Sequence, residues 1–109
     1  MKKILLCSSN PILVKSLYGI LRDDGHSVET IEHPVLAVQM VMNNQYDVLI
    51  IDSEPFGLSA EDAAEIVRTV APSVFILFVG RHQDRTHVQA VETPLDLEEF
   101  KRTIHSIAV

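Results

Sequence analysis

The chain has 109 residues, of which 47% are apolar and 22% are charged, and its formal net charge is −6. This composition excludes a disordered chain, which would be poor in large aliphatic residues. It also argues against nucleic-acid binding, because few basic residues are available to neutralise phosphates. The single cysteine, Cys7, cannot form an internal disulfide, and no apolar run approaches the roughly 20 residues that cross a bilayer. We therefore expect one cytoplasmic domain over residues 1–109, without a membrane segment.

Short apolar runs alternate with amphipathic segments along the chain. The continuous apolar runs are typical of strands that are buried on both faces of a sheet. Asn10 and Pro11 have the residue types of a helix N-cap and first helical position. Gly25 is placed to end that helix in a left-handed conformation. The predicted strands are 4–7, 27–31, 48–51, 74–79 and 88–91.

Four amphipathic helices are predicted between and after these strands. Pro34 starts the second helix, Ser59 to Asp62 resembles a capping box for the third, and residues 96–99 cap the last. The alternation of strand and helix predicts an α/β fold with a parallel sheet that is covered on both faces. The stripes expected to face the sheet are Leu13, Leu17, Ile20 and Leu21; Ala37, Met40 and Val41; Ala63, Ile66, Val67 and Val70; and Leu97, Phe100, Ile104 and Ile107.

The connection between the fourth and fifth predicted strands is unusually short. Only eight residues, 80–87, lie between them, and none is aliphatic. A parallel crossover normally takes a dozen or more residues and includes a helix. We therefore expect a loop or a single turn there, which would leave one face of the sheet thinly covered. Such a face is either used by a partner or filled by neighbouring helices.

Residues 45–52, QYDVLIID, resemble the third strand of the receiver domain of two-component response regulators, which ends in the phosphate-accepting aspartate, here Asp52. Residues 3–7, 74–79 and 93–100 follow the receiver order as well, so the resemblance covers essentially the whole chain. It implies a flavodoxin-like, doubly wound, five-stranded parallel sheet with strand order 2-1-3-4-5, in which the fourth helix is missing or reduced to a turn. It also implies a signalling module rather than an enzyme.

The residues that would carry receiver chemistry depart from the family pattern. By resemblance, an acidic pair after strand one, the acceptor aspartate and a backbone carbonyl two residues later hold Mg²⁺, while a hydroxyl after strand four and a lysine contact the phosphoryl group. Among the side chains, only Asp52 matches. The matching positions are Ser8 and Ser9 for the acidic pair, Glu54 for the carbonyl, Val79 (or Phe78, if the register slips by one) for the hydroxyl, and Thr93 for the lysine. The resemblance implies a cis bond between Thr93 and Pro94.

A lone carboxylate without anionic neighbours or an ammonium group favours a pseudo-receiver. Such a module needs no cofactor. It acts without phosphorylation, through protein partners such as a signalling kinase or an output domain. We also expect that it can form a homodimer. The alternative is a working receiver that is phosphorylated at Asp52 and needs Mg²⁺.

Two other sites are weaker hypotheses. Cys7, which precedes a loop that opens a helix, resembles the acceptor of the phosphocysteine carriers of sugar phosphotransferase systems, but its loop has no glycine and Pro11 removes one backbone donor. His82, Asp84 and His87 could hold a metal, but their spacing fits no strong zinc signature. We interpret them as solvated loop residues.

Overall fold

The computed structural model describes residues 2–52, 58–79, 89–91 and 97–108. Its five strands form one parallel sheet in the order β2-β1-β3-β4-β5. This order and the α/β class confirm the predictions, whereas the predicted loop or turn at 80–87 lies outside the described residues. The elements within the described ranges are β1 (Lys3–Cys7), α1 (Pro11–Asp23), β2 (Ser27–Ile31), α2 (Pro34–Asn43), β3 (Val48–Asp52), α3 (Leu58–Val70), β4 (Phe75–Val79), β5 (Gln89–Val91) and α4 (Leu97–Ala108).

The sheet separates two apolar cores. The first core lies between the sheet and α2 and α3, and Leu5, Cys7 and Phe78 belong to it. The second core lies between the sheet and α1 and α4, and it contains Val79 and Phe100. Successive residues of a strand point to opposite faces, so a central strand with a helix layer on each side has to be apolar throughout. This is why β1, β3 and β4 are continuous apolar runs.

The first two helices begin as predicted. The Asn10 side-chain carbonyl accepts hydrogen bonds from the backbone N–H groups of Ile12 (3.0 Å) and Leu13 (3.3 Å). The His33 Nδ1 atom accepts one from the N–H of Val35 (3.1 Å). A proline follows each cap, where its missing N–H costs nothing. Both caps lie at the carboxyl edge of the sheet, so they fix how the chain leaves that edge.

Two predictions for α3 are wrong. The helix begins at Leu58, so Ser59 lies inside it rather than at the N-cap. Ile66 and Val70 were expected in the core but are exposed, and Ala64 is buried instead. Alanines bring a helix close to a sheet, and the buried side of α3 is therefore centred on Ala63, Ala64 and Val67. None of the helices in the described ranges has the length and apolar character to span a bilayer.

Gly19 and Gly25, in and just after α1, allow a matched test of where the backbone requires a glycine. Gly25 follows α1 with φ +88°, a conformation that strains any residue with a Cβ. We expect Gly25→Ala to lower the free energy of unfolding by about 1 kcal/mol. Gly19, inside α1, has open space around the position of a Cβ, so Gly19→Ala is expected to raise it by about 0.5–1 kcal/mol. Urea unfolding of both variants measures this, and equal signs would contradict it.

Candidate functional site

Asp52 and Ser8 meet at the carboxyl edge of the sheet. Asp52 is the last residue of β3 and Ser8 follows β1; their exposed fractions are only 3% and 2%. The Ser8 hydroxyl donates a hydrogen bond of 2.9 Å to Oδ2 of Asp52. Ligands of open α/β sheets bind at this edge, beside the point where the strand order reverses, here between β1 and β3. Asp52, the predicted acceptor, therefore lies at the edge where sheets of this kind bind ligands, and a serine hydroxyl is its neighbour.

The Ser8 hydroxyl is held from both sides. Its oxygen accepts a hydrogen bond from the backbone N–H of Asn10 (3.1 Å), while the hydroxyl itself donates one to Asp52. The backbone N–H of Ser8 donates to the carbonyl of Ile31 (3.0 Å), which fixes the residue against β2. A hydrogen bond to an ionised acceptor is among the stronger kinds. Ser8 thus stabilises the buried carboxylate of Asp52 without adding charge.

Ser9 does not share this environment. It is exposed, although with Ser8 it lines a crevice of about 450 Å³ between the ends of β1 and β2. The two serines at the positions of the receiver's acidic pair therefore differ, one buried on Asp52 and one open to solvent. Sequence reasoning placed both at the site but missed the hydrogen bond of Ser8.

Val79 is the neighbour of Asp52 on the other side. The two residues are partners in the register between β3 and β4, and Val79 is buried in the second core. Phe78, the alternative position for the receiver's hydroxyl, pairs with Ile51 and belongs to the first core. The register therefore places Val79, and not Phe78, beside Asp52. Its side chain has no hydroxyl that could bond a phosphoryl oxygen.

Several predicted site residues lie outside the described residues: Glu54, Thr93, Pro94, His82, Asp84 and His87. Their roles, and the cis bond before Pro94, stay predictions. In the part of the chain that the structure does describe, no three histidine, cysteine or acidic side chains are grouped so that they could hold a metal ion.

Cys7 points into the first core and is fully buried. Burial, and secondly the negative charge of Asp52, raise the pKa of its thiol from 9.0 to about 12. A nucleophilic cysteine has to be a thiolate that its substrate can reach. The location of Cys7 therefore argues against a phosphocysteine carrier.

The raised pKa of Cys7 predicts how stability depends on pH. In the unfolded chain the thiol ionises near pH 9, whereas in the folded chain it stays protonated until about pH 12. Between these two pH values the folded state therefore binds more protons than the unfolded state. The contribution of the Cys7 thiol makes the free energy of unfolding fall by about 1.4 kcal/mol per pH unit as the pH rises through this range. We expect the wild type to lose stability faster than Cys7→Ala above pH 9 in urea unfolding. Parallel pH profiles would refute this.

Tyr46 lies just before β3, at the amino ends of the strands, and no role was predicted for it from the sequence. Its partly buried hydroxyl donates to the carboxylate of Glu29 on β2, and the Lys3 ammonium lies 4.8 Å from the centre of its ring. Burial, followed by the interaction with Glu29, raises the pKa of Tyr46. This cluster joins β2 to the start of β3. It is a structural brace, far along β1 and β3 from Asp52.

No protein-family model matches the chain, and no curated protein matches its sequence. Solved structures do match it. Response regulator TrrA from Thermotoga maritima, in complex with Mg²⁺-BeF, is 22% identical over 98% of this chain and 99% of that one, with a TM-score of 0.84. The receiver domain of sensor histidine kinase PA1611 from Pseudomonas aeruginosa, with a magnesium ion in its active-site cleft, is 19% identical over 99% and 98%, with a TM-score of 0.83.

A third match is the receiver domain of Ssk1 from Saccharomyces cerevisiae, solved with the histidine phosphotransfer protein Ypd1. It is 16% identical over 94% of this chain and 85% of that one, with a TM-score of 0.78. Across these structures the likeness extends over nearly the full length of both chains. The chain therefore has the fold of the response-regulator receiver domains.

Proposed function

We propose that the chain is a pseudo-receiver, a protein-binding signalling module that works without phosphorylation of Asp52. The observation that carries the proposal is the hydrogen bond from Ser8 to Asp52. Where the receiver pattern has a carboxylate, this chain has the neutral hydroxyl of Ser8, which donates its hydrogen bond to the acceptor residue Asp52. One oxygen of the Asp52 carboxylate, Oδ2, is thus engaged by Ser8.

The described side chains at this edge offer Mg²⁺ fewer carboxylates than the receiver pattern does. The ion prefers octahedral oxygen ligands and is usually bound through one or two carboxylates. Among the described side chains at the ends of β1, β3 and β4, Asp52 is the single carboxylate, beside the hydroxyl of Ser8 and the apolar Val79. Phosphoryl transfer depends on positioned positive charge that neutralises the incoming group. The chemistry of this donor set supports a module that does not accept phosphate.

A working receiver remains the second candidate, and one observation favours it. Asp52 ends β3, and its carboxylate lies at the reversal point of the strand order. In this alternative, Asp52 accepts the phosphoryl group and Mg²⁺ is required. Both candidates take proteins as partners, such as a signalling kinase or an output protein.

Treatment with acetyl phosphate and Mg²⁺, followed by intact-mass measurement, separates the two candidates. We expect the wild type to gain no phosphoryl group. The combined variant Ser8→Asp, Ser9→Asp, Val79→Thr and Thr93→Lys restores the receiver pattern and serves as the positive control. Asp52→Asn is the matched negative control, because it keeps the size of the side chain and removes the acceptor. A single phosphoryl adduct on the wild type that disappears in Asp52→Asn would establish the working receiver instead.

A further inference from the structure

Helix α2 lies at the surface but has no charged residue between Pro34 and Asn43. Its exposed side chains include Val35, Leu36 and Met42, and the exposed fraction of Met42 is 63%. The outward face of a surface helix normally carries charged and polar residues. An uncharged helix with exposed large apolar side chains indicates a surface that is covered by a partner.

Helix α3 adds apolar side chains to the same surface. Ile66 and Val70 are four residues apart, so they lie on one side of α3, and both are exposed. Val35 and Met42 are seven residues apart and share one side of α2. Met42 and Val70 line one cavity of about 600 Å³ between the carboxyl ends of the two helices. We call the surface formed by Val35, Met42, Ile66 and Val70 the apolar groove.

The rim of the apolar groove is acidic. Glu32 precedes α2 and is exposed, and Asp62 and Glu65 are exposed on α3. The basic residue of α3, Arg68, lies 2.7 Å from Glu65 and is paired with it. The rim therefore carries a net negative charge, which complements a basic partner and opposes an acidic one.

We propose that the apolar groove binds an amphipathic helix of a partner protein, with an apolar stripe flanked by lysine or arginine. This rests on the proposed function, since it names the surface and the partner of the same protein-binding module. Helix-in-groove binding uses apolar anchors at helical spacing, which fits a groove that runs between two helices. A second copy of this chain is a poor occupant, because dimerisation through the groove would bring two acidic rims together.

A pair of designed peptides tests the proposal. The probe is an 18-residue helical peptide with leucine at helical spacing and lysine at the other positions, and its control replaces every lysine by glutamate. Binding is measured by fluorescence anisotropy, and the contact surface by amide NMR shifts of the labelled chain. We expect the lysine peptide to bind, with shifts confined to α2 and α3, and the glutamate peptide to bind at least tenfold more weakly.

Two variants locate the binding surface. Met42→Ser is expected to weaken binding of the lysine peptide by about tenfold or more, because it removes an apolar anchor without changing the charge of the groove. Ile12→Ser on α1 is the matched control, since Ile12 is a large apolar residue with an exposed fraction of 79% outside the groove. It is expected to leave the affinity within about twofold. Circular dichroism verifies that both variants fold.

Three results would each overturn the inference. Binding of a leucine-free lysine peptide as tight as that of the probe would reduce the interaction to charge alone. NMR shifts outside α2 and α3, or an equal effect of the two variants, would place the binding surface elsewhere. A concentration-dependent dimer that Met42→Ser abolishes would assign the groove to a second copy. None of these results changes the acetyl phosphate experiment, so failure of the groove is distinguishable from failure of the pseudo-receiver.

Discussion

Ser8→Asp is expected to lower the free energy of unfolding by about 3 kcal/mol when no divalent cation is present. The substitution removes the hydroxyl that donates to Asp52 and places a second buried carboxylate beside the first. A buried charge without a compensating partner typically costs about 3–5 kcal/mol. Millimolar Mg²⁺ is expected to restore part of the loss, because a pair of carboxylates can seat the ion and a ligand that binds only the folded state stabilises it. Urea unfolding with and without Mg²⁺ measures both effects.

Two controls separate charge from the loss of the hydrogen bond. Ser8→Ala removes the donor without adding charge and is expected to cost about 1–2 kcal/mol, with no response to Mg²⁺. Ser9→Asp adds a carboxylate at an exposed position and is expected to change stability by less than about 0.5 kcal/mol. Stability of Ser8→Asp equal to that of the wild type in the absence of Mg²⁺ would contradict the geometry of the site.

Phe100→Ala is expected to lower the free energy of unfolding by about 3–5 kcal/mol. Phe100 is fully buried in the second core, where it connects α4 to the sheet. Truncating a buried phenylalanine removes its apolar contacts and leaves a cavity that the surroundings fill only in part. A loss of this size is a large share of the stability of a domain of this length.

Phe75→Ala is the matched control for Phe100→Ala. Phe75 begins β4 and is 39% exposed, so less apolar surface returns to water when its ring is removed. We expect its cost to be clearly smaller, with both variants compared by urea unfolding at the same pH. Equal costs would mean that α4 contributes little to the second core.

The sequence predicts the strands better than the way the helices face the sheet. Apolar runs such as Val48 to Ile51 have one explanation in an α/β fold, a strand covered on both sides. Helical spacing marks an apolar stripe, but it does not say how the helix turns on the sheet. Ile66 and Val70 share a stripe with Ala63, yet the alanines face inward and the larger residues face outward. The apolar groove was therefore not predicted.

The candidate site shows a similar limit. Its positions could be predicted, because Ser8 and Asp52 each follow or end an apolar run, and the carboxyl ends of parallel strands share one edge. The hydrogen bond between them depends on side-chain rotamers of residues 44 positions apart, which no local pattern specifies. The choice between Phe78 and Val79 likewise required the register of β3 against β4.

The position of β1 in the sheet affects the order in which the chain can fold during synthesis. β1 is synthesised before β2 and β3, yet it lies between these two strands and pairs with both. Ile4 pairs with Val48, which lies 44 positions later, so the second edge of β1 stays unpaired until β3 has been made. Forming contacts between residues so far apart in the sequence costs loop-closure entropy before the contacts can stabilise the fold, and this slows folding. Until then the apolar strand β1 has one unpaired edge in the nascent chain. Such an edge promotes aggregation and can bind chaperones.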